Sequence, residues 1–145
     1  MSIKTVFENE DAVLWYHKNE KIIHHQVKRP IMGDQLKNIL EKGYEELKKT
    51  NAIKWLSDDR LLGPFSRDDQ KWCEEVWFPK TRDAGWRFWA IVLPEKVLGQ
   101  MSLQYFQRKY SEQGITARFF NTPEDAIEWL KRQEISNVFE QLLDS

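Results

Sequence analysis

The side chains best suited to chemistry crowd into one stretch, Ser57-Asp58-Asp59-Arg60-Leu61-Leu62-Gly63-Pro64-Phe65-Ser66-Arg67-Asp68-Asp69. Carboxylates and hydroxyls so close together could serve a nucleophile, a hard cation or a phosphate switch. Each use demands a further pattern. A nucleophilic serine needs a base and a sharp turn such as G-x-S-x-G, and neither accompanies Ser57 or Ser66. Calcium needs six or more oxygens at ordered spacing. The acids here follow no EF-hand pattern, and Arg60 and Arg67 offset their charge. Asp58 and Asp59 are therefore expected in a solvated loop. Asp68 and Asp69 are expected in the first turn of a helix, each favouring the dipole by about 0.3–1 kcal/mol. Ser66 reads as the N-cap of that helix, accepting from the amide of Asp68 or Asp69, a bond worth about 1 kcal/mol.

The other reactive groups are few. Cys73 is the only cysteine. It falls on the apolar side of its helix beside Glu74 and Glu75, where burial and negative charge both disfavour a thiolate. It reads as a small packed side chain. The histidines, His17, His24 and His25, lie in a β-rich segment. A two-residue turn between its strands puts His17 and His24 on one face and His25 on the other. Two ligands do not make a zinc site, so these read as exposed hairpin histidines. The glycines are scattered, without G-x-G-x-x-G or a Walker loop. No catalytic residue, cofactor site or metal site is expected.

These groups must be positioned by elements that the hydrophobic pattern reveals. AVLWYHK and KIIHHQVKR are β-rich runs flanking Asn19-Glu20, a hairpin. From Met32 to Lys49, Leu36, Ile39, Leu40, Gly43, Tyr44 and Leu47 recur at helical spacing. AIKWL is a short strand. Ser66 to Phe78 is a second helix, with Trp72, Cys73, Val76 and Trp77 on one side and Pro79 as its boundary. RFWAIVLP is nearly all apolar, a strand buried on both faces in a parallel sheet. A third helix runs from about Lys96 to Gln113, with Gly114 as left-handed C-cap. ITARFF is the next strand. TPED then opens a helix, with Thr122 as N-cap and Pro123 at the first helical position. The tail, EISNVFEQLLDS, carries an apolar stripe of Ile135, Val138, Phe139, Leu142 and Leu143.

The order is thus β-β-α-β-α-β-α-β-α plus a short C-terminal helix. It predicts an α/β fold with a mixed, mostly parallel sheet of about five strands and an N-terminal antiparallel hairpin. One domain over 1–145 is expected, its core about 12–132 and its helical tail 133–145. Open sheets of this kind bind ligands beyond the carboxyl ends of their strands, which is where the Ser57–Phe65 loop falls.

Bulk properties narrow the partners. Net charge is −1, so electrostatics favours neither nucleic acid nor an anionic membrane. No apolar run approaches a membrane span, and neither a signal peptide nor an anchor is expected from the N-terminal residues. The single cysteine fits a reducing compartment, and the expected location is the cytoplasm. Aromatic residues make up 13% of the chain, enough to build the core and to line an apolar groove or an oligomer interface.

The stretches WLSDDRLLGPFSRDD, WFPKTRDAGWRFWAIVLP and RFFNTPEDAIEWL, in this element order, resemble the STAS domain. The resemblance is to the small stand-alone proteins similar to anti-sigma-factor antagonists, a group also compared with lipid-binding CRAL-TRIO domains. It covers about residues 12–132. In the antagonists, a serine opening the helix after this strand is phosphorylated by a partner kinase, within Asp-Ser-Ser-Gly. The matching stretch here is Phe65-Ser66-Arg67-Asp68, with Phe where the family has its acid and no glycine. The resemblance implies a non-enzymatic binding or regulatory domain, with Ser57, Asp58, Asp59, Phe65 and Ser66 as its switch or binding loop. Its partner would be a protein or a small apolar ligand. A phosphoserine-switched regulator is one alternative, and an enzyme whose site assembles only in three dimensions is another. The tail stripe, through Ile135, Val138, Phe139 and Leu142, could join two copies.

Overall fold

The structure, a computed structural model, describes residues 2–135. Its order is β1 (Ile3–Glu8), β2 (Ala12–His17), β3 (Ile22–Val27), α1 (Asp34–Thr50), β4 (Lys54–Asp58) and α2 (Arg67–Trp72). A π-turn (Cys73–Trp77), α3 (Phe78–Asp83), β5 (Phe88–Val92), α4 (Val97–Ser111), β6 (Thr116–Phe120) and α5 (Pro123–Lys131) follow. One six-stranded sheet runs β1-β2-β3-β4-β5-β6. The first three strands pair antiparallel, and the last three add in parallel. This is the expected mixed α/β fold with one strand more. β1 adds to the outer side of the hairpin, and the alternation of IKTVFE is broken by a bulge between Thr5 and Phe7.

The strand period of two divides the core. On β3, β4 and β5, Ile23, Trp55, Trp89 and Ile91 face one way, into a cluster with Leu36, Ile39 and Leu47 of α1, Trp77 and Phe78, and Leu103, Phe106 and Tyr110 of α4. Ile22, Leu56, Phe88, Ala90 and Val92 face the other way, against Ala126, Trp129 and Leu130 of α5. β5 is buried along its whole length, as its apolar run predicts. The crossover helices therefore cover one face and α5 the other.

Local signals set several boundaries as expected. Ser66 caps α2, its Oγ accepting from the amide of Asp69 at 3.1 Å. Thr122 caps α5, accepting from the amide of Asp125 at 3.2 Å, with Pro123 at the first position. Gly114, at φ 97°, is left-handed beyond the end of α4.

Pro79 is different. The helix does not stop there but runs on to Asp83 as α3. Proline lacks an N–H and clashes with the carbonyl four residues back. The π-turn immediately before it widens the backbone, closing with the Phe78 amide on the Cys73 carbonyl. The burial of Trp77 and Phe78, with Thr81 Oγ1 donating to the Trp77 carbonyl at 2.7 Å, carries the helix through. Of the tail stripe, Ile135 is exposed, while Val138, Phe139, Leu142 and Leu143 lie outside the described residues. No described helix is long and apolar enough to cross a membrane.

Candidate functional site

β4 extends past Leu56 through Ser57 and Asp58. Alternation then sends neighbouring residues to opposite faces. Ser57 points under the crossover helices, and Asp58 points to the α5 side. Asp58 is held there by Arg60, with Nε to Oδ1 at 2.9 Å and Nη2 to Oδ2 at 2.7 Å. Asp59 lies just past the strand and turns back to the Ser57 side. The expectation of a solvated acidic loop fails for Asp58 and Asp59, which are buried, and Asp69 is buried too, in the first turn of α2 where it is expected. Each is buried because it has a dedicated partner. Asp69 accepts from the amide of Gly33 at 3.0 Å, tying α2 to the start of α1.

The histidines are likewise buried rather than exposed: His17, His24 and His25 are 5%, 8% and 4% accessible. Their faces follow the strand period as expected. His17 Nε2 and His24 Nδ1 share a hydrogen bond of 3.0 Å on one face. Burial, reinforced by His17 and His25, pushes His24 down to about 3, and burial also lowers His17. Neutral imidazoles of this kind pack in a core, which is why the hairpin can hold them.

His25 faces the other way and completes a chain of three side chains. Trp55 Nε1 lies 2.9 Å from His25 Nδ1, and His25 Nε2 lies 2.9 Å from Asp59 Oδ1. Indole nitrogen can only donate. His25 Nδ1 must therefore accept, so the imidazole is neutral and Nε2–H donates to Asp59. Trp55 is itself fixed edge-on to Trp77 and beside Trp86.

Asp59, Ser57 and His25 meet Leu36, Leu40, Leu62, Phe65, Cys73, Trp77, Trp89, Leu103, Phe106 and Tyr110 around a cavity of about 30 Å³. That is room for one or two waters or a small head group. The cavity sits under α1, the π-turn and α4, toward the carboxyl ends of β3 and β4. Hydrogen-bonding capacity is left over inside it. Ser57 Oγ accepts from Trp89 Nε1 at 2.8 Å, and its own O–H is unused. Among the described residues no hydrogen bond ends on Asp59 Oδ2 or involves the Tyr110 hydroxyl. Both residues are almost wholly buried, at 3% exposure each.

Of the anticipated loop, Ser57, Asp59 and Phe65 come together at this cavity. Asp58 goes to the opposite face, and Ser66 is spent on its cap. Phe65 packs edge-on against Phe106, with ring centres 4.8 Å apart. The loop's sequence signalled none of His25, Trp89 or Tyr110, because their approach depends on strand register and helix docking. Cys73 also reaches the cavity, and burial, then Asp69 and Glu74, push its thiol up to about 12. Among the described residues no three His, Cys, Asp or Glu side chains converge as a metal site.

Compared with protein-family models, with curated proteins and with solved structures, the chain matches none.

Proposed function

We propose that this chain is a non-enzymatic binding domain that takes a small, largely apolar ligand, with the ligand's head group in the cavity between β3, β4 and the crossover helices. The observation that carries this reading is the convergence of Asp59, Ser57 and Tyr110, each with unused hydrogen-bonding capacity, inside walls of Trp77, Trp89 and Phe106. Their spare lone pairs and hydroxyl hydrogens can bond a ligand's polar end. Ligand pockets combine mostly apolar walls with a few fixed polar groups, and in parallel sheets they lie at this end of the strands. The resemblance to stand-alone STAS-like proteins is in keeping with a binding role, and the single buried cysteine with work in the cytoplasm.

The same groups are poorly arranged for catalysis. A general base needs a free ring nitrogen, and His25 has both engaged. The Cys73 thiol is protonated at neutral pH, so it is a poor nucleophile.

Thermal unfolding in n-butanol, n-butylammonium chloride and sodium n-butyrate tests the reading. A molecule bound only by the folded state raises Tm as its concentration rises. At least one of the three should do so, and the rise should vanish in Leu36→Phe, which fills the cavity from α1. No rise with any of them, or a rise that survives in Leu36→Phe, would overturn it.

A further inference from the structure

The far face of the sheet is covered unevenly. Alternation along β2 and β3 puts Val13, Trp15, His17, Ile22 and His24 on the side of α5, with Trp15 opposite His24 and His17 opposite Ile22. Among the described residues α5 is the helix on that side, and it packs on β4, β5 and β6. Its cluster reaches Ile22 but holds no residue of β2. Even so, Val13, His17 and His24 are only 2%, 5% and 8% exposed. Val13 belongs to neither core cluster, and Nε2 of His24 is buried without a hydrogen-bond partner. Strand neighbours account for part of this burial, since the Trp15 and His24 rings lie 4.7 Å apart. Neighbours on one strand layer shield each other sideways, however, and a sheet face is closed by a second layer.

We propose that the second layer over this half of the sheet is the chain's own C-terminal segment, residues 136–145, laying Val138, Phe139 and Leu142 on Val13, Trp15 and His24.

Position, length and pattern select this occupant. The described chain ends at Ile135, which shares a groove with Lys21 of the hairpin turn and Lys54 at the start of β4. The segment therefore departs from the edge of the half that α5 leaves open. Ten residues follow Ile135, and they span about 15 Å as a helix or about 33 Å extended. β2 and β3 are six residues each, about 20 Å long, so the segment is long enough to cover them. Its large apolar residues fall at 138, 139, 142 and 143, a spacing that gathers them on one side. β3 presents His25 to Asp59 from its other face, so a segment docked here braces the hairpin behind the cavity.

NMR on the full chain tests the docking. Nuclear Overhauser contacts are expected between the rings of Trp15 or His24 and the side chains of Val138, Phe139 and Leu142. An equal mixture of isotope-labelled and unlabelled chains separates contacts within one molecule from contacts between two, and the former are expected. Combining Phe139→Asp with Leu142→Asp should uncover the face. Broadening of the Val13 methyl signals by a soluble gadolinium chelate should then rise at least about twofold, while that of Ile91, under the crossover helices, stays unchanged. Absence of such contacts on this face overturns the proposal. Contacts found only between two chains overturn it too, since the segment would then join two copies. Unchanged Val13 broadening in a folded double variant does the same. If that variant does not fold, the contacts in the native chain decide alone.

Discussion

At the scale of single residues, partners decide what a side chain is. Asp58 and Asp59 are adjacent and chemically identical, yet one is clamped by Arg60 and the other faces a cavity beside a neutral imidazole. Both were visible in sequence as candidates. Their separation by strand alternation was legible in principle, but only once β4 is known to run to Asp58. The His25–Asp59 bond spans 34 residues and depends on the parallel register of β3 on β4, which no local pattern encodes. The histidines were misread for a related reason: a polar type in a hairpin suggests exposure, whereas His17 and His24 satisfy part of their need in each other. That burial has a consequence for pH. His24 sits at about 3 when folded, against 6.5 as its ordinary value. The folded value is the lower one, so between the two the unfolded chain holds the extra proton. Stability is therefore full above about 6.5 and declines on acidification, by up to about 1.4 kcal/mol per pH unit for one such group. His17 acts in the same direction, with Glu20 opposing it, and Asp58 opposes the shift of His24. Urea unfolding should show a falling midpoint from pH 7 to pH 5, and His24→Gln should flatten that fall. A midpoint independent of pH over this range would contradict the burial.

At the scale of elements, signals carried by a few consecutive residues were read well. Ser66 and Thr122 cap their helices because a hydroxyl and the right spacing are all a cap requires. Pro79 was misread because its local penalty is real but is absorbed by the π-turn at Cys73–Trp77. β1 escaped notice because its bulge breaks the period of two. The docking of α1 onto β4 is an element-scale device that the helical spacing of Gly43 hinted at. A Cβ on Gly43 would stand 2.2 Å from Cη2 of Trp55. The indole cannot step aside easily, since it is held by His25 and lies against Trp77 and Trp86. Gly43→Ala should therefore destabilise the fold by about 1–3 kcal/mol, the usual range for overpacking. It should also disturb the Trp55–His25–Asp59 chain. Thermal unfolding checks the first effect, and an unchanged Tm would show that α1 has slack at this contact.

At the scale of the molecule, the alternation of strands and helices gave the α/β architecture, since parallel strands need crossovers and crossovers need an apolar stripe facing the sheet. It did not give the cavity. A void between helices arises from how Leu36, Phe65, Trp77 and Phe106 fill space together, a property of the assembled layers and of no one segment. The two core clusters provide an internal control for the ligand site, because Trp77 and Trp89 border the cavity while Trp129 of α5 packs on the far face of the sheet. Their indole N–H groups are separate reporters: that of Trp89 bonds Ser57 Oγ, and that of Trp77 bonds the Leu40 carbonyl. The most direct measurement is a nitrogen–proton NMR titration of the indole resonances with n-butylammonium chloride and, separately, n-butanol. Saturable shifts of Trp77 and Trp89 with a stationary Trp129 are expected for at least one of them. No shift with either, or shifts shared equally by Trp129, would contradict a ligand site in this cavity.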